Sequence, residues 1–158
     1  MAITKEEINL AEIFQDLGNI CLTEAHCQKC AEKACLVGYS KASTAECRIK
    51  ERTYVENGMD NIPPSGIRGG YDEFNVLHAI SHLLSQCRSC KQDHIDDCII
   101  NVVRSCMEVI EFGDVQGYQG DVITYLAKLQ EQNPGKAMEV AEEYQRIKDR
   151  KFREEQQA

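Results

Sequence analysis

The chain has 158 residues, of which 42% are hydrophobic and 28% charged, and its formal net charge is −8. This length and composition predict one globular domain with a substantial core. The acidic balance argues against a nucleic-acid binder and against docking on an anionic membrane surface, because both need a basic face. The sequence contains no run of about 18 apolar residues, so it predicts no transmembrane helix.

The N-terminal residues lack the apolar core of a signal peptide, which favours a cytoplasmic location where thiols stay reduced. The nine cysteines cannot all pair with one another, since their number is odd. Their share of the chain is also below the roughly 8–10% that is typical of disulfide scaffolds. The cysteines therefore indicate bound metal or redox chemistry.

The N-terminal third of the chain has apolar residues at helical spacing. Thr4 and Glu7 form a capping box, which predicts one long or broken helix over about 4–39. Ser43 and Glu46 form a second capping box, which predicts a short helix after it.

The regular spacing stops over residues 52–71, which contain two prolines and four glycines. This composition predicts a long irregular loop with at most a short extended piece at 53–55. Its end, 65–71, resembles a glycine-rich phosphate loop but lacks the spacing of either phosphate-binding fingerprint, so a flexible turn is the preferred interpretation.

Aspartates begin the helices predicted for the second half of the chain. Asp72 precedes a helix that leads into a cysteine-rich turn, Asp93 precedes a helix over 94–112, and Asp121 precedes the next one. Gly113 lies where a helix C-terminal glycine is expected.

Asn133-Pro134-Gly135 stops that helix, and a final helix runs into a charged tail at 149–158, which we expect to fray in solvent. No alternating strand pattern competes with these helices. The sequence therefore predicts a single all-α domain, a bundle of five or six helices over 1–158 with one long irregular loop.

Two cysteine segments indicate bound metal or redox-active thiols. Each contains a C-x-x-C pair followed by another cysteine. The first cysteine segment is 26–35 and the second cysteine segment is 87–98. Two thiolates three residues apart can both reach one metal ion or cluster. The predicted metal ligands are Cys27, Cys30, Cys35, Cys87, Cys90, His94 and Cys98.

Three arrangements fit this spacing. Both C-x-x-C pairs converge on one four-thiolate site, or each segment holds its own site, or the thiols are redox-active without metal. Thiolates suit zinc and iron–sulfur clusters alike. Because the chain has enough apolar helix to form its own core, a purely structural zinc is less needed, which favours an iron–sulfur or functional metal site.

The remaining cysteines have simpler interpretations. Cys21 and Cys106 continue apolar stripes, which predicts core packing. Cys47 either packs in the core or supplies a fourth ligand to the first cysteine segment. His78 and His82 have the i, i+4 spacing of a metal-binding pair, but no carboxylate pattern accompanies them, so hydrogen-bonded or solvated histidines are the preferred interpretation.

The leading functional hypothesis is a cysteine-rich metal-binding protein that acts in electron transfer, metal or cluster delivery, or sensing for a protein partner. The alternatives are a thiol–disulfide redox sensor and a structural helical adaptor with buried cysteines. The sequence leaves the oligomeric state open, and a homodimer, the commonest assembly, is one option. An enzyme with a cysteine nucleophile and His94 as its base ranks lowest, because no oxyanion-hole signature supports it.

Overall fold

The computed structural model describes residues 8–21, 27, 32–63, 71–86, 96–118 and 120–157. These residues form an all-α bundle, which confirms the predicted fold class. A 3₁₀ turn at Glu32–Ala34 accompanies six helices: α1 Leu10–Ile20, α2 Leu36–Lys50, α3 Glu73–Gln86, α4 Ile99–Phe112, α5 Val122–Gln132 and α6 Pro134–Gln157. None of the helices in the described ranges combines the length and the apolar character needed to cross a bilayer.

Helix α3 is the centre of the bundle, because it packs against α1, α4 and α6. Its residues Val76, Ile80 and Leu84 are fully buried, and they belong to a core that α4 continues with Val102 and Cys106. Helix α2 packs on α1 and α4, and α5 packs on α6. The face of α3 between α1 and α6 therefore meets residues from both ends of the chain.

Helix α1 begins at Leu10, because the side chain of Asn9 accepts a hydrogen bond from the Glu12 amide at 3.1 Å. The predicted start at Thr4 is therefore wrong for this helix, and Thr4 and Glu7 lie outside the described residues. The predicted segment over 4–39 is broken, since α1 ends at Ile20.

The capping box predicted at Ser43 and Glu46 is wrong, because both residues lie inside α2. Hydroxyl side chains in this helix bond to the carbonyl four residues back: Thr44 donates to Ser40 at 2.8 Å, and Ser40 donates to Leu36 at 2.9 Å. A hydroxyl residue used in this way does not mark a helix start.

Three predicted helix boundaries are confirmed. Asp72 accepts from the Asn75 amide at 3.1 Å and so begins α3. Asp121 accepts from the Thr124 amide at 3.3 Å and so begins α5. Gly113 ends α4 with a φ of +83°, a left-handed conformation that glycine adopts without strain.

The predicted start of α4 is wrong, because this helix begins at Ile99, after Cys98, instead of after Asp93. Asp93 and His94 lie outside the described residues. The turn before α4 is held by the predicted loop: Tyr54 forms an isolated antiparallel bridge with Cys98. This bridge confirms the short extended piece at 53–55, and residues 64–70 of the loop lie outside the described residues.

The predicted charged tail is helical, because α6 continues through Gln157, and residues 152–157 are exposed to solvent. The fraying of this end stays a prediction. Its Lys151 ammonium donates to the Ser85 hydroxyl of α3 at 3.1 Å, which fixes this end of α6 on the bundle. Two large apolar side chains of these helices, Phe74 of α3 and Ile123 of α5, are 59% and 77% exposed.

A fully buried ion pair lies within α4 and is contacted by Tyr125 of α5. Arg104 Nε donates to Glu108 Oε2 at 3.3 Å, and the Tyr125 hydroxyl donates to the same oxygen at 2.5 Å. The guanidinium also donates to the Asn101 side chain and lies 4.8 Å from the Tyr118 ring centroid. Its Nη1 atom is buried without a hydrogen-bond partner. The pair is therefore strongly desolvated, and each charge depends on the other.

Cys47 and Cys106 are completely buried, which confirms core packing for Cys106, and Cys21 packs against the core. Burial raises the pKa of the Cys106 thiol to about 12 and that of Cys47 to about 11. Cys47 donates a hydrogen bond to the Tyr54 carbonyl at 3.4 Å. Both are inert structural thiols by this criterion, because the thiolate is the nucleophile.

We therefore expect Cys47 and Cys106 to resist iodoacetamide in the native protein at about pH 8, where roughly one thiol in a thousand or fewer is ionised. Unfolding in urea removes the burial and should make both residues react. Peptide mass spectrometry after timed labelling measures this difference. Fast labelling of Cys106 in the native protein would contradict its assignment to the core.

Candidate metal centre

Three side chains from two helices meet between α1 and α3. His82 Nδ1 lies 2.6 Å from Asp16 Oδ2, and His78 Nε2 lies 3.6 Å from Asp16 Oδ1. Their ligand atoms all lie within 4.8 Å of one another, and across the described ranges no other three side chains of metal-ligand type do so. This cluster is the candidate metal centre.

The local helix patterns explain why these groups converge. The two histidines are four residues apart on α3, so both imidazoles project from the same face. On α1, the buried residues Ile13, Leu17 and Ile20 hold the helix against the bundle. Asp16 lies between them in sequence and is only 9% exposed, so it faces the histidines instead of solvent.

A carboxylate holds the outer nitrogen of each imidazole. Glu143 of α6 accepts from His78 Nδ1 at 2.9 Å, and Glu12 of α1 accepts from His82 Nε2 at 2.9 Å. With a proton on each outer nitrogen, loss of the inner protons that bridge to Asp16 would leave the lone pairs of His78 Nε2 and His82 Nδ1 available to an ion. Carboxylate partners of this kind orient metal-binding histidines and raise their basicity.

Cationic residues of α6 hold these two carboxylates in turn. Arg146 forms an ion pair with Glu143, and the Lys151 ammonium lies 4.0 Å from Glu12. Two parallel chains of contacts therefore run from Asp16 through a histidine and a glutamate to a basic residue of α6. Both glutamates are fixed by partners on two sides, which preorganises the histidines.

The electrostatics of the cluster favour a bound cation. Burial tends to raise the pKa of Asp16, but its hydrogen bonds and charge interactions with His78 and His82 outweigh that effect, and the pKa is lowered. The interaction with Asp16 raises the pKa of His78 against the opposing effect of desolvation. A proton in this position is what a metal ion would displace.

The dimensions also suit one ion. Zinc and similar ions bind imidazole nitrogen and carboxylate oxygen at about 2.0–2.2 Å, so that donor atoms around one ion lie roughly 3–4 Å apart. The three donor atoms all lie within 4.8 Å of one another. Small movements of the side chains would bring them to the spacing found around one ion. Two imidazoles and one carboxylate form a ligand set that suits zinc and ferrous iron.

The free energy of unfolding of the metal-free protein should depend on the protonation of His78. Its pKa is raised above the ordinary 6.5, so its contribution is complete below about pH 6.5 and is lost as pH rises through the higher folded value. Urea unfolding with a chelator present, over about pH 6 to 9, should show stability falling with pH. A His78→Gln variant should flatten this profile, and an unchanged slope in that variant would assign the effect to another group.

The predicted cysteine ligands divide between described and undescribed residues. Cys30, Cys87, Cys90 and His94 lie outside the described residues, so their convergence stays a prediction. The described ligands are separate from the histidine cluster: the Cys35 thiol lies 3.4 Å from the Tyr71 hydroxyl, and Cys98 precedes α4. Cys27 is partly buried.

The sequence analysis interpreted His78 and His82 as hydrogen-bonded or solvated side chains, and this interpretation does not include the carboxylates that contact them. His78 and His82 are hydrogen-bonded, as that interpretation expects, but their partners are carboxylates, which the sequence analysis did not find. Glu12 and Asp16 have the same i, i+4 spacing on α1, and this pairing was the available signal. Glu143 had no comparable local signal.

Comparisons with protein families, with curated proteins and with solved structures give no match. The functional assignment therefore depends on the chemistry of the site.

Proposed function

We propose that the protein binds one divalent transition-metal ion between α1 and α3, with His78 Nε2, His82 Nδ1 and Asp16 as its ligands. The observation that carries this proposal is the convergence of these three donors within 4.8 Å. Glu143 and Glu12 would orient the imidazoles through their outer nitrogens. Metal sensing or delivery for a protein partner is the role that we propose for such a site.

The ligand chemistry favours zinc or ferrous iron at this position. Nitrogen and oxygen donors suit these ions, whereas an iron–sulfur cluster is held mainly by thiolates. An iron–sulfur cluster or a second zinc therefore belongs, in our proposal, to the two cysteine segments. The histidine cluster and the cysteine segments would be separate metal sites in one chain.

The experiment is a metal titration of chelator-treated protein with zinc, followed by isothermal calorimetry and elemental analysis. We expect the His78→Ala, His82→Ala double variant to lose one equivalent of zinc relative to the native chain. Anaerobic purification and assays for iron and sulfide report separately on the cysteine segments.

Cys90→Ser provides the matched comparison. It should lower the metal held by the cysteine segments while leaving the equivalent that depends on His82 in place. Equal zinc content in the native protein and in the double histidine variant would contradict the proposed metal site at the histidine cluster.

A further inference from the structure

We infer that Lys151 is a positioning residue that couples the metal centre to the C-terminal half of α6, so that a bound ion holds this half of the helix on the bundle. The inference rests on the proposed function, since it needs an ion at His78, His82 and Asp16. It goes further by giving the bound ion an effect on the outer surface of the molecule, as metal sensing requires.

Lys151 reaches His82 by two separate routes. Its ammonium donates to the Ser85 hydroxyl at 3.1 Å, and that hydroxyl donates to the His82 carbonyl at 2.6 Å. The same ammonium lies 4.0 Å from Glu12 Oε2, the oxygen that accepts from His82 Nε2 at 2.9 Å. One side chain of α6 therefore contacts the partner of the His82 backbone and the partner of its imidazole.

The place of Lys151 along α6 suits this role. It follows the buried residue Ile147 by about one turn, and residues 152–157 after it are exposed. Its side chain is 19% exposed, whereas that of Arg150 is 49% exposed and faces Glu154 of the same helix. Lys151 therefore lies where the docked part of α6 passes into its exposed end.

The contacts of Lys151 also give the coupling its sign. By holding Ser85 and Glu12, this side chain reduces the freedom that His82 must lose when it binds an ion, so the docked helix favours binding. Linkage then requires the bound ion to favour the docked helix by the same factor. The ion also repels the ammonium, but the carboxylate of Glu12 faces both the imidazole and the ammonium, and its negative charge offsets that repulsion.

Hydrogen exchange of the full, chelator-treated chain with and without zinc tests the inference. Amides near an exposed helix end exchange through local opening, which a general gain in stability does not change. Zinc should therefore slow exchange over residues 148–157 of α6 as well as in α1 and α3, although α6 supplies none of the three proposed ligands.

Lys151→Met should abolish the protection of α6 by zinc and weaken zinc binding about fivefold. This factor is at the lower end for couplings between sites, because the contact with Glu12 is long and partly exposed. Lys151→Arg should restore most of the affinity, since it returns a cation to the same place. Arg150→Met is the matched control: it removes one positive charge at the neighbouring residue and should leave zinc affinity and exchange unchanged.

The exchange measurement on the native chain decides the matter even if Lys151→Met fails to fold. Stoichiometric zinc binding at the cluster without slower exchange in α6 would overturn the inference and leave the proposed function standing. Tighter zinc binding by Lys151→Met, or equal protection of α6 in the His78→Ala, His82→Ala variant, would also contradict the inference. A native chain that binds no zinc at the cluster would instead contradict the proposed function.

Discussion

Replacing Arg104 with alanine should lower the free energy of unfolding by about 3–5 kcal/mol, the cost of leaving one charge of a buried pair without its partner. Both Arg104 and Glu108 are completely buried. Glu108 would keep its bond from Tyr125, at 2.5 Å, but would lose the only cation that the described structure places against it. Urea unfolding followed by circular dichroism measures the change.

The chain offers a matched control with the same i, i+4 spacing. Lys50 and Glu46 form an exposed ion pair at 2.8 Å, and Lys50→Ala should cost only about 0.3–0.5 kcal/mol. Should Arg104→Ala fail to fold, the double variant Arg104→Met, Glu108→Leu provides a second measurement, because an apolar pair of similar volume leaves no buried charge. If Arg104→Ala lowered the free energy of unfolding as little as Lys50→Ala does, water would have to reach the buried pair.

Zinc at about 100 times its dissociation constant should raise the free energy of unfolding by about 2.7 kcal/mol, because the ion binds only the folded chain. Asp16→Asn should abolish this gain, since the substitution removes the anionic donor between the two histidines. Thermal or urea unfolding with and without added zinc measures the difference.

Glu12→Gln is the control for this second result. The variant keeps all three proposed donors and changes only the partner of His82. Its affinity for zinc should fall by about 10–100-fold, and its stabilisation should return when the zinc concentration is raised accordingly. An undiminished zinc effect in Asp16→Asn would move the stabilising ion to another place in the chain.

The helices could be predicted where local signals agreed with the packing. The aspartates before α3 and α5 and the glycine after α4 each act through a bond or a dihedral angle within a few residues. Ser43 and Asp93 were misleading because the same residue types also occur within helices and in turns. Tertiary contacts, such as the bridge between Tyr54 and Cys98, decide whether such a residue begins a helix or lies within a helix or a turn.

Local sequence signals predict even less about the candidate metal centre than about the helix boundaries. The spacing of His78 and His82 on one helix face was visible in the sequence, and so was the equal spacing of Glu12 and Asp16. Nothing local indicates that these two faces meet, because the contact between Asp16 and His82 joins residues 66 positions apart. Glu143, 65 positions from His78, is no easier to place.

These sequence separations have a kinetic consequence. The cluster is complete only after α1, near the start of the chain, and α6, near its end, have both docked on α3. We expect contacts between such distant parts of the chain to form late and to contribute little to the folding transition state. An ion bound there should then leave the refolding rate almost unchanged and slow unfolding instead. The metal would thus lengthen the lifetime of the native state without hastening its formation.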